Sequence, residues 1–441
     1  MKQSKHNIYY SPKEVRTILE RSIDTALDGL KCYCNDPVSD FTRCRKLPAR
    51  SLIECIMSFS NYSSIGELSH FFVGQGEMPS ASALSQRRQL LDPDIFKRIN
   101  NLFVSAFDDH TTINGYHILA QDGSDVNIPF MDDKTKTEKH DAKSFCQYHV
   151  NALYDCLNKV FYDWSIDAAS KKREVNALIS ILKDRNYPQN SIFTADRGNE
   201  SYNLMAHFIE NDIKFVIRVK DIHTKSGLMT NIKTEEGAFD IRVTRTLTSL
   251  QTKEIKADKE KYIFVPSTSN FDFLDETRDL YDLSFRAVRF KISEDTYETV
   301  VTNLSEEEFK TEDFKELYHY RWNEETAFNK LKYTIGLVYF HARKRKLIQQ
   351  EINAAFLMYN VSEVIIRNIY LKKNKKPELE YDYKPNFSSA VTNIRLYLRK
   401  KINMRELILR IKKFLVAQRP ERSYERNIKG QSCKPLNYRT S

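Results

Sequence analysis

The chain has little of several things, and each shortage excludes a class of protein. Only 11 glycines and 12 prolines occur among 441 residues. Average proteins contain about 7% and 5% of these residues, so collagen-like and low-complexity sequences are excluded. No uncharged apolar run approaches the roughly 18 residues that a membrane helix needs. Hydrophobic residues make up 41% of the chain and charged residues 29%, so the chain can bury an ample core, and its length allows about two to four domains.

Several motifs of common enzymes and metal sites are missing as well. The sequence has no GxxxxGK[ST], no HExxH and no paired CxxC, so nothing in it indicates an ATP-binding loop or a zinc enzyme. Cys32, Cys34 and Cys44 lie close together, but no matching set completes a zinc site. Seven irregularly spaced cysteines suit a reducing compartment, and Met1–His6 lacks the apolar core of a secretion signal. We therefore expect a cytoplasmic protein without a membrane partner.

The positive charge is concentrated at one end of the chain. The net charge is +10, and residues 391–441 hold fourteen Lys and Arg against three Glu, a net +11. Everything before this segment sums to about −1. A basic segment of this kind favours a polyanion partner such as nucleic acid. A solvated helical face with a loose tail is the alternative.

Residues 1–110 have the pattern of a helical region. The predicted helices cover 12–29, 48–59 and 64–72, and Ser80 is the expected cap of a further short helix. That helix follows a Gly-containing turn and carries Arg87 and Arg88, as the second helix of a helix-turn-helix DNA reader would. An ordinary four-helix packing unit explains the same pattern, so both interpretations stay open.

Beyond residue 110 the pattern changes to alternating strands and helices. Three successive strand-like runs come first, and helices then alternate with strands up to residue 220. This order predicts a mixed sheet flanked by helices. The runs predict strands at 117–121, 147–154, 159–166, 191–195 and 213–219, and helices at 173–184 and 201–211.

The second half of the chain begins with a different sequence pattern. Residues 221–307 hold four β-type runs, which predict a β-rich insertion. From Thr311 the pattern is mainly helical to about Val416, except for a loop expected around 374–388. The patterns thus divide the chain into a helical N-terminal region with a candidate DNA-binding helix (1–110), the first part of an α/β core (111–220), the β-rich insertion (221–307), the last helix of the core (308–345) and a helical basic C-terminal region (346–441).

One segment combines an acid, two cations and a phenol at helical spacing. At about 100° per residue, Tyr318, Arg321, Glu325 and Lys332 share a stripe about 60° wide on a single helix. The stripe borders the apolar face that should pack on the sheet, which suits a site for a metal and phosphates. The alternative is a surface helix with ion pairs between successive turns.

Two aspartates supply further carboxylates. Asp122 and Asp196 each directly follow an apolar strand-like run and precede a Gly turn or a helix. Either alone would be an ordinary turn or capping residue. Together with Glu325 they offer three carboxylates, which suit a hard divalent cation such as Mg²⁺. Two such ions can activate an attacking oxygen and stabilise the leaving one in phosphodiester chemistry.

These residues resemble a known family. The spacing Tyr318-x2-Arg321-x3-Glu325-x6-Lys332 resembles the Tyr–Arg–Glu–Lys signature of a large family of bacterial insertion-sequence transposases, which are cut-and-paste DDE enzymes. Asp122-Gly123-Ser124 and Asp196-Arg197-Gly198 resemble that family's first and second Asp segments, and residues 149–155 its second strand. The resemblance covers about 116–342, and weakly 82–103.

The resemblance implies a fold, a site and partners. It implies an α/β protein with a ribonuclease H-like mixed sheet, a β-strand insertion and helical regions at both ends. Asp122, Asp196 and Glu325 would be the catalytic triad and would bind two Mg²⁺ or Mn²⁺ ions. Glu324 is a rival third acid, but the motif spacing favours Glu325. The residues that would contact DNA are Tyr318, Arg321 and Lys332, with Arg197, Arg87 and Arg88 as further candidates.

The implied reaction is DNA transposition. The enzyme would cut double-stranded DNA at the inverted-repeat ends of a transposon and join the freed 3′-hydroxyl groups to target DNA, as a homodimer in the DNA complex. A ribonuclease H-like nuclease without strand transfer and a non-catalytic DNA-binding descendant remain alternatives. Family members often stack a Trp of the insertion on a flipped base during hairpin formation. Neither Trp164 nor Trp322 lies in 221–307. The aromatic residues that could stack instead are Phe264, Tyr262, Phe271 and Phe273.

Overall fold

The computed structural model describes most of the chain. It covers residues 1–418 apart from 6–7, 44–45, 75, 140–141, 170–173, 223, 225, 267, 270, 295 and 371–381. Among the helices it describes, none is both long and apolar enough to cross a membrane. The end of the basic C-terminal segment, residues 419–441, lies outside the described residues.

The N-terminal region is helical, as its sequence predicts. Its first helix begins with a capping box, in which the Ser11 hydroxyl accepts from the Glu14 N–H and the Glu14 carboxylate accepts from the Ser11 N–H at 2.7 Å. Strand β1 pairs with β2 and closes the region. Its elements are β1 (Gln3–Lys5), α1 (Pro12–Asp28), α2 (Ala49–Met57), α3 (Ser64–Phe72), α4 (Ala81–Leu90), α5 (Asp94–Val104) and β2 (Thr111–Ile113).

The central sheet begins with three antiparallel strands and continues with two parallel ones. Its elements are β3 (His117–Ile128), β4 (Lys136–Lys139), β5 (Ala142–Asp155), β6 (Val160–Ala168), α6 (Glu174–Asp184), β7 (Ser191–Ala195), α7 (Tyr202–Glu210) and β8 (Lys214–Val219). The strands lie in the order β6-β5-β3-β7-β8, and the parallel pairs are β3 with β7 and β7 with β8. This is the ribonuclease H-like fold, so the expected fold class is confirmed.

The β-rich insertion extends this same sheet. Strand β12 pairs antiparallel with β8, and the order continues through β11 and β9 to β10. The inserted strands therefore share one sheet with the strands before them. The elements here are β9 (Phe239–Thr248), α8 (Lys253–Ala257), β10 (Tyr262–Phe264), β11 (Leu280–Ser293) and β12 (Thr296–Thr302).

The rest of the described chain is mainly helical. The long helix α11 packs against α1, α2, α5 and β6, so it joins the N-terminal helices to the sheet. Part of the expected loop is a strand, because β13 pairs with β14, while 371–381 lie outside the described residues. The elements are α9 (Asp313–His319), α10 (Trp322–Lys330), a π-helical turn (Leu331–Ile335), α11 (Arg345–Tyr370), β13 (Asp382–Pro385), α12 (Phe387–Leu398), α13 (Met404–Lys413) and β14 (Leu415–Gln418).

Candidate active site

The register of two parallel strands places the two candidate aspartates side by side. Gln121 of β3 pairs with Ala195 of β7, and this is the last pair between the two strands. Asp122 and Asp196 are the next residues on each strand. Since neighbouring strands lie about 4.8 Å apart, the two aspartates start from adjacent backbone positions.

Beyond Asp122 and Asp196 the two strand segments continue differently. We expected a turn at Asp122-Gly123-Ser124, and this is wrong, because β3 runs on to Ile128. Strand β5 supplies the physical reason, since it pairs with β3 along this whole stretch and pairs Asp122 with Ala152. Asp196 does begin a turn, in which its Oδ1 accepts from the Gly198 N–H at 2.8 Å.

A buried arginine connects the first aspartate to the candidate glutamate. Helix α10 packs on β3, and Arg321 at its start is 4% exposed. Its guanidinium lies 3.2 Å from Oε1 of Glu325 and 3.7 Å from Oδ2 of Asp122. A single buried cation therefore holds two carboxylates that are far apart in the sequence.

The three carboxylates also act on one another electrostatically. Burial raises the pKa of Asp122 to about 6, and the negative charges of Asp196 and Glu325 act in the same direction. The Gly123 N–H, at 2.8 Å from the Asp122 carboxylate, and the Arg321 charge oppose this rise. Such crowding of acids is the electrostatic condition that a bound cation relieves.

The helix that carries the motif is not continuous, which differs from our expectation. Helix α9 ends at His319, and α10 begins at Trp322. Between them the backbone stays helical but tightens, since the Arg321 N–H donates to the Tyr318 carbonyl three residues earlier. Lys332 lies in the π-helical turn that follows α10. The uniform 100° rotation used to align the four residues therefore does not apply to the whole segment.

The structure places the other motif residues at different depths. Tyr318 is 1% exposed, and its hydroxyl has no hydrogen-bond partner among the described residues. Burial lowers the pKa of Lys332, while the charges of Asp125 and Asp122 act against that shift. Lys332 therefore lies near the first aspartate, whereas Tyr318 is turned into the core.

The two neighbouring glutamates differ sharply in environment. Glu324 is fully buried, and burial raises its pKa well above the usual range, with Asp122 acting in the same direction. Glu325 is half-buried and faces Arg321. A fully buried carboxyl whose pKa is raised in this way is a poor ligand for an ion that must also reach DNA.

The donor set fits a divalent cation in its chemistry. Asp122, Asp196 and Glu325 offer the carboxylate oxygens that Mg²⁺ and Mn²⁺ prefer. Within the described ranges, however, no three such side chains are already gathered closely enough to hold an ion. Arg321 occupies the position between Asp122 and Glu325, so metal binding requires these carboxylates to turn away from it.

The remaining candidate DNA contacts do not share one environment. Arg197 is exposed beside Asp196. Arg87 donates to the Leu47 carbonyl at 3.0 Å and lies over the Phe41 ring. Arg88 is 2% exposed and bonds to Glu351 at 2.6 Å. The expectation that Arg88 contacts DNA does not suit this placement, because its guanidinium is used inside the protein.

Sequence reasoning missed a histidine behind the first aspartate. His149 on β5 is fully buried, and its Nδ1 lies 2.6 Å from Asp125 while its Nε2 lies 3.5 Å from Glu174. Its ring packs directly on the Gly123 backbone, where a Cβ atom would stand 2.5 Å from Cε1. The run that contains His149 was recognisable as a strand, but nothing in the sequence pairs it with Glu174.

Glu174 also reaches the second aspartate. A Cβ atom at Gly198 would stand 2.7 Å from Oε2 of Glu174 and 3.0 Å from Oδ1 of Asp196. The two carboxylates therefore approach each other across this glycine. Glu174 begins α6, and a first-turn acid of a helix gave no sequence signal of a place beside the site.

Two of the four aromatic candidates of the insertion, Phe264 and Phe271, line a cavity near Asp196. The cavity has a volume of about 400 Å³, and its walls include Arg197, Lys220, Phe264 and Phe271. Phe264 is 44% exposed, whereas Phe271 is 9% exposed. Tyr262 and Phe273 do not line this cavity and are half-buried.

Comparison with known protein families identifies the family of this chain. Residues 113–361, more than half of the chain, match the family model described as Transposase DDE domain. The chain therefore belongs to the DDE transposase family. This membership implies a DNA-cleaving enzyme, and members of the family generally use divalent metal ions.

Further comparisons add little to this assignment. A piggyBac transposase, solved by cryo-electron microscopy as a synaptic complex with hairpin DNA, is 11% identical to this chain, with a TM-score of 0.44. The match covers 96% of this chain and 90% of that one. A likeness of this size supports no argument about the site. Among curated proteins, none matches this chain.

Proposed function

We propose that this chain cuts double-stranded DNA at transposon ends and joins the freed 3′-hydroxyl groups to target DNA, as a member of the bacterial Tyr–Arg–Glu–Lys transposases. One observation carries the proposal. The register of β3 and β7 brings Asp122 and Asp196 to adjacent positions, and Arg321 brings Glu325 to the first of them.

In this proposal Asp122, Asp196 and Glu325 hold two Mg²⁺ or Mn²⁺ ions. When bound, such ions activate the attacking oxygen and stabilise the leaving oxygen of the phosphodiester. The half-buried Glu325 is the third acid, because Glu324 is fully buried and burial raises its pKa well above the usual range. Asp122 and Asp196 directly follow the last paired residues of β3 and β7, which supports their assignment as the first two acids.

The cations of the site hold the DNA backbone. If Asp122 and Glu325 held the ions, the planar guanidinium of Arg321 would be available for a phosphate near the scissile bond. Lys332 lies on the side of Asp122 and Asp125 and binds a neighbouring phosphate. The exposed Arg197, next to Asp196 in the sequence, contacts the same DNA strand.

A hairpin step would use the aromatic cavity of the insertion. A flipped base can stack on the exposed ring of Phe264, and the cavity of about 400 Å³ between this ring and Arg197 leaves room for it. Phe271 forms the deeper wall. Phe264 thus takes the place of the Trp that relatives use.

The ends of the chain supply further DNA contacts in this proposal. The N-terminal helices and the basic C-terminal segment bind the transposon end, and two copies of the chain assemble on a pair of ends. The enzyme works in the bacterial cytoplasm, at the nucleoid. The N-terminal region alone carries about one net positive charge, so most of the electrostatic attraction comes from the C-terminal end.

The test uses labelled DNA carrying the inverted repeats that flank the gene. We expect nicking at the repeat boundary that requires Mg²⁺ or Mn²⁺, and joining of pre-cut ends to a target plasmid. Nicking without joining would contradict the strand-transfer step and identify the protein as a nuclease of this fold. Binding without metal-dependent nicking would make it a non-catalytic DNA-binding descendant and would contradict the proposal.

A further inference from the structure

A cavity of about 480 Å³ lies far along the chain from the catalytic motif, between α1, α2 and the end of α12. Three cations at the C-terminal end of α12 line its wall: Arg395 in the last turn of the helix, Arg399 at its C-cap and Lys400 just after it. Nothing in the proposed cleavage site uses these residues. They belong to the basic C-terminal segment, but they line a cavity and are not part of an open surface.

The floor of this cavity is a buried arginine whose charge is not neutralised by a contacting acid. Arg395 is 8% exposed, and its Nε has no hydrogen-bond partner among the described residues. Its Nη2 donates to the Ile335 carbonyl at 3.0 Å. No carboxylate of the described chain lies within ion-pair distance of Arg395 or Arg399. Leaving a guanidinium buried without an anion is costly, so a binding partner is expected.

The electrostatics of the two arginines agree with this geometry. Burial lowers the pKa of Arg395 to about 10, and the neighbouring charge of Arg399 acts in the same direction. Glu67 opposes the shift from a distance, but its carboxylate is already bonded to the Ser60 and Tyr62 N–H groups. An anion bound in the cavity would supply the negative charge that neutralises Arg395 and Arg399.

The rim of the cavity has a different character. Its acids are exposed and already paired, since Asp24 and Glu54 bind Arg50 and Glu20 lies 3.6 Å from Arg16. The rim is therefore close to neutral, while the floor keeps the positive charge.

From this arrangement we infer that the cavity between α1, α2 and α12 is a phosphate-binding site, with Arg395 and Arg399 as its principal donors and Lys400 at its edge. Planar guanidinium groups bind phosphate oxygens through paired hydrogen bonds. The phosphate group belongs either to a small free phosphate compound or to a DNA backbone that reaches the cavity.

The site is connected to the catalytic segment. Ile335, whose carbonyl accepts from Arg395, ends the π-helical turn that contains Lys332. A phosphate on Arg395 would fix the guanidinium and with it this contact. Occupancy should therefore stabilise the packing of α12 on the end of the motif helix.

The experiment titrates the full-length protein with inorganic phosphate and with pyrophosphate by calorimetry, at ionic strength held constant with chloride. We expect saturable binding that weakens about tenfold or more in Arg399→Gln and in Arg395→Gln. Lys400→Gln should weaken it less. The matched controls are Lys412→Gln and Lys413→Gln, which remove exposed cations of α13 outside the cavity. Arg399→Gln keeps the test decisive if Arg395→Gln fails to fold.

A second arm measures affinity for transposon-end DNA with the same variants. Phosphate binding that persists on the DNA-bound protein identifies a free phosphate compound. Competition between phosphate and DNA, or a loss of DNA affinity in Arg399→Gln beyond that of the controls, identifies the DNA backbone. Equal phosphate binding in variants and controls, or no phosphate binding together with unchanged DNA affinity, would overturn the inference. Neither arm depends on cleavage, so failure of the catalytic proposal is seen separately.

Discussion

Asp122 and Asp196 lie 74 positions apart in the sequence, yet they follow residues that are paired in the sheet, Gln121 and Ala195. The parallel pairing of β3 and β7 ends immediately before them, so their backbones leave the same level of the sheet side by side. Strand β3 continues on β5, while β7 ends and the chain turns. The position of the candidate active site is therefore fixed by strand register, and register is set by the buried apolar runs that precede both aspartates.

Gly123 should not tolerate a side chain. In Gly123→Ala the new Cβ atom would meet the His149 ring at 2.5 Å from Cε1 and 3.0 Å from Oδ1 of Asn151. Overpacking of this kind costs about 1–3 kcal/mol in the free energy of unfolding, and the strand beside Asp122 should shift. Urea denaturation measures the first effect and DNA nicking the second. Gly29→Ala is the control, since its Cβ atom would meet only the Ala26 carbonyl at 3.7 Å.

The same clash offers a rescue experiment. His149→Ala removes the ring that blocks position 123, so the double variant with Gly123→Ala should recover part of the lost stability. A double variant no more stable than the sum of the two single losses would show that His149 is not the obstacle.

The stability of the protein should fall between about pH 6.5 and 9 because of His341. The ring of His341 lies 3.1 Å from Glu351 and 3.5 Å from Glu67. Burial opposes protonation, but these two carboxylates raise the pKa of His341 to about 9. A raised pKa stabilises the fold below the unfolded value of about 6.5, and that contribution disappears as the pH rises through the folded value. The expected loss is on the order of 2 kcal/mol.

The measurement is the free energy of unfolding at several pH values for the wild type and His341→Gln. The variant should be less stable at pH 6 and should lose much of the pH dependence above that. His319→Gln, an exposed histidine, is the control. An unchanged slope in His341→Gln would assign the pH dependence to other groups.

The three motif residues beside the triad should differ in importance. Arg321→Lys should slow cleavage most, by about tenfold or more, because the planar fork now held by Asp122 and Glu325 cannot be reproduced by an ammonium group. Lys332→Arg should be milder. Tyr318→Phe should be mildest, since the hydroxyl is buried and without a partner in the described structure. Single-turnover cleavage with saturating DNA separates these effects from binding. A dead Tyr318→Phe beside a normal Arg321→Lys would reverse this order.

The tail beyond the described residues should contribute salt-dependent DNA affinity. Residues 419–441 carry six Lys and Arg against two Glu. Their removal should flatten the slope of log K against log[salt] by about 0.9 for each lost phosphate contact. Deletion from residue 395 onward is a poor test, because it would remove the last turns of the packed helix α12. A truncated protein with an unchanged slope would show that the tail does not touch DNA.

The elements that local patterns define were predictable from the sequence. The strand Ser191–Ala195 and the helix Ser64–Phe72 have the predicted bounds, because an apolar run and a capping serine are local signals. The continuation of β3 beyond Asp122 was not predictable. The residues from Asp122 to Asp125 are polar or Gly, and pairing with β5 keeps this stretch extended.

Features that depend on contacts between distant segments were not predictable either. The sequence predicts Arg88 as a surface cation of a short helix, but in the structure it is buried and forms an ion pair with Glu351 of α11. The contact of Glu174 with His149 and the cavity around Arg395 likewise arise from packing between segments far apart in the chain. The local sequence carries no signal for any of them.

The most direct test of the account changes each carboxylate to its amide and measures nicking of labelled transposon ends in Mg²⁺ beside a mobility-shift assay. Asp122→Asn, Asp196→Asn and Glu325→Gln should each abolish cleavage while end binding stays largely intact, because most DNA affinity comes from phosphate contacts elsewhere. Glu324→Gln should still cut, since its carboxyl is fully buried and its pKa is raised well above the usual range. Normal cleavage by Glu325→Gln together with an inactive, folded Glu324→Gln would contradict the assignment of the third acid, and normal cleavage by either aspartate variant would contradict the proposed site itself.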